Sequence, residues 1–128
     1  MRVLIDTHAF LWAATDDPRL SEPAREVLRL TEHDVLLSAV SAYELTWKAV
    51  NGGLSLPDEP GRWIATRMQA FGLRALAVTP EHAAAAALLP PIHRDPWDRI
   101  LVAQARAEGV PLLTIDERIR RYDVETIW

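Results

Sequence analysis

Short, uninterrupted apolar runs recur along this chain with helix-forming stretches between them, and that alternation constrains the fold more than any other feature. Val3-Leu4-Ile5 ends at Asp6, Val35-Leu36-Leu37 follows Asp34, Leu76-Ala77-Val78 precedes Thr79-Pro80, Leu112 to Ile115 precedes Asp116, and Val124 to Ile127 comes last. Runs of this length without polar alternation read as strands buried on both faces, the signature of a parallel sheet. The intervening segments carry helix signals. Ser21 to Leu30 has an early Pro. Ser41 opens a stretch that stops at Asn51-Gly52-Gly53. Pro60 to Phe71 bears an apolar stripe, Thr79-Pro80 leads an Ala-rich run ended by Pro90-Pro91, and Pro96 begins a run to Gly109. Gly52 to Pro60 reads as a surface loop. Strands alternating with helices require right-handed crossovers. The expected fold is α/β, a three-layer α/β/α arrangement around a parallel sheet of about five strands, with residues 1–128 forming a single domain.

Composition narrows the chemistry. The chain has 128 residues, 49% of them apolar and 25% charged, and no Cys. Thiolate catalysis, disulfides and every Cys-based metal site are thereby excluded, so a metal here takes oxygen or imidazole ligands. The net charge of −4 argues against nucleic-acid binding driven by the whole surface, while leaving room for a local site. The opening MRVLIDTHAF suits neither a signal peptide nor a membrane span, and the expectation is a cytoplasmic protein.

The acids fall in telling places. Asp6 and Asp116 come directly after apolar strand runs, and Glu44 and Asp98 are expected in the first turns of helices that follow such runs. In an open parallel sheet those positions share one edge, at the carboxyl ends of the strands. Each acid also has a plainer reading as a helix cap. Ser41-Ala-Tyr-Glu44 satisfies a capping box, Asp95 suits the N-cap of a helix starting at Pro96, and Asp6 and Asp116 suit N-caps as well. Taken together, the caps explain less. Two carboxylates about 4 Å apart repel by roughly 4 kcal/mol at an effective dielectric of about 20, so a four-acid cluster needs protons or a hard divalent cation. An oxygen-only donor set selects Mg²⁺ or Mn²⁺, whose natural chemistry is phosphoryl transfer or phosphodiester hydrolysis.

With these residues in view, the sequence resembles the PIN-domain family, and within it the VapC-like toxins of bacterial toxin–antitoxin pairs. The anchors are LIDTHAFLW (4–12), SAVSAYELTWK (38–48), HRDPWDRILVAQA (93–105), LLTIDERI (112–119) and the closing VETIW. The resemblance implies a Mg²⁺- or Mn²⁺-dependent endoribonuclease, inhibited by a cognate antitoxin and usually a homodimer. It places the catalytic, metal-holding cluster on Asp6, Glu44, Asp98 and Asp116, preferring Asp98 over Asp95 in HRDPWDR. Asp95 is then a neighbour that supports the cluster. Thr7 and Thr114 are expected to hydrogen-bond a carboxylate or a water there, with bonding to nearby backbone as the competing reading. Arg94 and Arg99, flanking the third anchor, are expected to meet substrate phosphates, since Arg forks suit phosphate oxygens. Arg120 and Arg121 read as solvated charge. His8 and His93 receive no role.

Three alternatives stand beside this reading. A phosphoacceptor receiver domain shares the length and the acidic pocket but expects a Lys after the last strands, and the only Lys is Lys48. A degenerate PIN domain would serve as a protein-binding module. A nuclease acting on structured DNA would keep the chemistry and change the substrate. Trp12, Trp47 and Trp63 suit either a partner face or the core.

Overall fold

The computed structural model describes residues 1–128. Its elements are β1 (Arg2–Ile5), α1 (Thr7–Ala14), α2 (Glu22–Arg29), β2 (Asp34–Ser38), α3 (Ala39–Val50), α4 (Pro60–Phe71), β3 (Arg74–Leu76), α5 (Pro80–Leu88), α6 (Pro96–Glu108), β4 (Leu112–Leu113) and β5 (Thr126–Ile127), with one 3-10 turn at Ile119–Arg121. The strands form one parallel sheet in the order β3-β2-β1-β4-β5. The chain winds outward from β1 through β2 to β3, then returns to the other side of β1 for β4 and β5. The order therefore reverses between β1 and β4, and a crevice opens there at the carboxyl ends of the strands.

Both faces of the sheet are covered, which is why the strand runs are apolar throughout. Val3, Ile5, Val35, Leu37 and Leu113 point into a core completed by Ala9 and Phe10 of α1, Ala24 and Val27 of α2, and Trp63 and Ile64 of α4. Leu4, Leu36 and Leu112 point the other way, against Leu101, Val102 and Ala105 of α6 with Ile119 and Tyr122. Truncating a fully buried ring such as Phe10 to Ala costs about 3–5 kcal/mol by lost burial and cavity formation. α3 bridges the two layers, sending Leu45 to the first core and Val40 to the second. The expected α/β/α architecture is thus observed.

Several boundaries differ from the sequence reading, each for a local reason. α3 starts at Ala39, because the Ser38 hydroxyl accepts the Val40 N–H. Ser41 is fully buried inside the helix and its Oγ accepts from Thr7 Oγ1 at 2.8 Å, so the Ser41/Glu44 capping box is not formed. Glu44 consequently sits in the second turn, not the first. β3 lies two residues earlier than the apolar run suggested, with Leu36 opposite Arg74 and Ser38 opposite Leu76. α1, for which no helix was predicted, begins directly after Asp6. α4 matches its predicted span, ending at Gly72, whose φ of +65° only Gly adopts without strain.

Candidate metal centre

Carboxylates from different elements come close enough to act on one another near the carboxyl ends of β1 and β4. Asp6 ends β1 and caps α1, its Oδ1 accepting the Ala9 N–H at 2.7 Å. Glu44 projects from α3 and is 2% exposed. Asp98 stands in the first turn of α6, whose N-cap is Asp95, with Oδ1 accepting the Trp97 N–H at 2.9 Å and the Asp98 N–H at 3.3 Å. Asp116 follows β4 and holds the next turn, its Oδ1 accepting the N–H groups of Arg118 and Ile119. Capping and convergence are therefore not alternatives. The Asp6 bond starts α1 and the Asp116 bonds hold the turn after β4, and both residues still act on Asp98.

The electrostatics record the crowding. Burial, followed by the charges of Asp95, Glu44, Asp6 and Asp116, pushes the Asp98 carboxyl up to about 8. Burial also raises Asp6 to about 6, opposed by hydrogen bonds from the Thr114 hydroxyl and the Ala9 N–H. The four expected acids thus share one electrostatic neighbourhood. Glu44 Oε2 accepts from Lys48 Nζ, one helical turn on, while its Oε1 is buried with no hydrogen-bond partner. A buried, bare carboxylate oxygen is costly, and a cation is the ligand that would satisfy it. His93 Nε2 lies 3.0 Å from Asp98 Oδ2 and 3.3 Å from Asp116 Oδ2, and ligand atoms of these three residues fall within 4.8 Å of one another. The donor set present, carboxylate oxygens with imidazole nearby, fits a hard divalent cation.

The expected supporting residues fare unequally. Thr114 joins two acids, since its hydroxyl accepts the Asp116 N–H at 3.0 Å and bonds Asp6. Thr7 does not serve a carboxylate. Its buried hydroxyl donates to Ser41 and ties α1 to α3. Arg99 is a correction. Its guanidinium donates to the carbonyls of Ala86, Leu89, Pro90 and His93 and to Tyr122 Oη, which closes the end of α5 and leaves the fork committed within the fold rather than free for a phosphate. Arg94 is exposed and makes no ion pair, so it remains available to a ligand. Trp63 is core, while Trp47 is 47% exposed and tilts against Trp97, whose ring centroid lies 5.8 Å from Lys48 Nζ.

Sequence reasoning missed Lys48 and His93. Both left a signal. Glu44 and Lys48 are spaced i, i+4, the orientation that favours a helical ion pair, and Lys48 is the only Lys among 14 basic residues. His93 is separated from Asp95 by one residue and from Asp98 by four, a local hint that only the fold completes by bringing Asp116 alongside.

Comparison with known proteins agrees with the geometry. The family model described as "PIN domain" matches residues 3–125. Ribonuclease VapC22 of Mycobacterium tuberculosis is 31% identical over 121 residues, covering 94% of this chain and 91% of the relative. Among solved structures, VapBC2 from Rickettsia felis, bound to a DNA fragment from its promoter, superposes with a TM-score of 0.76 at 13% identity, covering 99% of this chain and 98% of that one. Mycobacterium tuberculosis VapC20, a toxin that cleaves the sarcin–ricin loop, gives a TM-score of 0.66 at 19% identity, covering 95% of both chains. By a family model spanning almost its full length, and by a curated relative aligned over most of both sequences, this chain belongs to the PIN-domain family and to its VapC branch.

Proposed function

We propose that the chain is a divalent-cation-dependent endoribonuclease acting as the toxin of a toxin–antitoxin pair. The observation that supports the reading is the crowding around Asp98, which burial and the charges of Asp95, Glu44, Asp6 and Asp116 push up to about 8, together with a buried Glu44 Oε1 that has no partner. These four residues would hold the cation, with Mg²⁺ or Mn²⁺ as the species their oxygens favour. A cation so bound acidifies water and stabilises the charge that develops on phosphoryl oxygens.

The protein's own groups supply the remainder. Asp98 holds its proton below about pH 8 and Asp6 below about pH 6, and a bound cation would displace those protons, so affinity should rise with pH. Lys48 holds Glu44 through Oε2 and leaves Oε1 buried without a partner. Thr114 holds Asp6 and the Asp116 backbone in fixed relation. Arg94, exposed beside α6, is the proposed contact for a substrate phosphate. RNA as substrate is supported by the curated relative, a ribonuclease. A cognate antitoxin is supported by the crystallised VapBC complex of similar fold. A homodimer is part of the same proposal, and Tyr43, Trp47 and Val50 offer it exposed apolar surface. No helix is long and apolar enough to cross a membrane.

The test is cleavage mapping on total cellular RNA with Mg²⁺, Mn²⁺ or a chelator, alongside Asp6→Asn. Discrete cuts that need the cation and vanish in the variant are expected. RNA left intact by the folded wild type under every condition would overturn the enzymatic reading and leave a binding module.

A further inference from the structure

By distance alone His93 would be counted among the ligands of the crevice, but its surroundings say otherwise. A histidine ligand must present a bare ring nitrogen, and in a neutral imidazole the other nitrogen then carries the proton. What each nitrogen touches decides between the two tautomers. His93 Nδ1 lies 3.2 Å from the backbone N of Asp95, which donates to it. Nδ1 is therefore the bare nitrogen, and the ring proton belongs on Nε2, the atom that faces Asp98 and Asp116.

Reversing the tautomer is costly here because nothing around the ring is free to turn. Asp95 is pinned as the N-cap of α6 by its two side-chain bonds to Trp97 and Asp98. The His93 N–H donates to Tyr122 Oη at 2.9 Å, Tyr122 donates onward to Pro90 O at 2.9 Å, and Arg99 grips the His93 carbonyl at 3.2 Å. His93 itself is 3% exposed. Moving the proton to Nδ1 would set one donor against another and leave the Asp95 N–H without its acceptor.

We propose that His93 is a positioning residue and not a cation ligand: its Nε2–H donates to Asp116 Oδ2 at 3.3 Å while standing 3.0 Å from Asp98 Oδ2, a clasp that holds two carboxylates from distant parts of the chain side by side. The role of this clasp in catalysis rests on the endoribonuclease reading above. The tautomer does not. Hydrogen-bonding partners of this kind change metal affinity by about 10- to 100-fold when removed, without touching the ion.

The direct test is long-range ¹H–¹⁵N NMR of the histidine rings in wild-type protein, recorded without and with saturating Mg²⁺. The expected result is the Nε2–H tautomer of His93 in both spectra, with Mg²⁺ shifting the surrounding resonances. A ring that is Nδ1-protonated in either state, whether singly or doubly protonated, would overturn the proposal. If Mg²⁺ moves nothing and cleaves nothing while the tautomer is Nε2–H, the clasp stands and the endoribonuclease reading fails. Calorimetric Mn²⁺ titration of two variants adds a second readout. His93→Gln, whose amide donates from a similar position, should stay within about threefold of wild type in affinity, and His93→Ala should lose about tenfold or more. Equal losses in the two folded variants would mean that the imidazole nitrogen itself binds the ion, and would overturn the clasp. Should His93→Ala fail to fold, the wild-type spectra decide alone.

Discussion

Asp98 and Arg99 are neighbours in the first turn of α6, both charged and both partly buried, yet their surroundings are opposites. Arg99 finds carbonyl acceptors at the end of α5 and in the following loop, plus a tyrosine hydroxyl. The cation is where a helix C-terminus favours one, and its donors are engaged. Asp98 finds four other carboxylates, and its proton is retained up to about pH 8. One residue closes a satisfied network that fixes the 89–93 loop, and with it His93. The other belongs to a network that is incomplete without an added cation. Polar groups that are fully paired build the scaffold, and those left in conflict mark where a ligand is needed.

The contrast can be broken most severely at Asp98. Asp98→Asn should lower cation-dependent RNA cleavage by about a thousandfold, equivalent to ~4 kcal/mol of lost transition-state stabilisation, while raising the melting temperature of the cation-free protein at pH 7, since the neutral amide avoids the cost of protonating a buried carboxyl. Cleavage close to wild type would remove Asp98 from the reacting centre. Next in size, Arg99→Met should reduce stability by about 3 kcal/mol in urea unfolding, since several carbonyls lose a charged donor. Arg99→Lys should rescue little, because a point charge cannot replace a fork. A loss under about 1 kcal/mol would show that those bonds are not structural.

A pH series sharpens the same comparison. Asp98 and Asp6 have folded pKa values of about 8 and about 6, raised from 3.8, so between pH 4 and pH 8 the native state holds more protons than the unfolded chain. Stability of the cation-free protein must then fall as pH rises through that window, by about 2 kcal/mol once relaxation and water entry take their share. Below pH 4 both states are protonated and the effect disappears. Asp17, held down to about 2 by Arg19, acts with opposite sign only below the window. Flat or rising stability from pH 4 to 8 would contradict the crowded pocket. The smallest effect is expected at Arg120→Ala, which removes an exposed pair with Glu117 and should change stability by less than about 0.5 kcal/mol.

Much of this was legible in the chain. The buried runs announced a parallel sheet, and an acid placed just after β1 and just past β4 pointed to the crevice, because strand ends in such a sheet fall along one edge. Asp95 as cap and Asp98 as first-turn acid were readable from Pro96 alone. The fate of Arg99 was not, since its acceptors are carbonyls 6 to 13 residues upstream, exposed only because α5 ends where it does. Nor was the start of α3, where Ser41 was read as the cap but Ser38 takes that role and Ser41 accepts from Thr7 inside the fold. His93 needed the tertiary fold, because Asp116 reaches it only after β4 pairs with β1.

Everything here depends on Asp6, Glu44, Asp98 and Asp116 forming one cation site, in which the raised carboxyl of Asp98 holds a proton when no cation is bound. Calorimetric titration of the protein with Mn²⁺ at pH 7, repeated in buffers of different ionisation enthalpy, tests it directly. Binding should release about one proton per protein, mostly from Asp98, so the observed heat should vary linearly with buffer ionisation enthalpy. Absence of binding, or heats that do not depend on the buffer, would contradict the account.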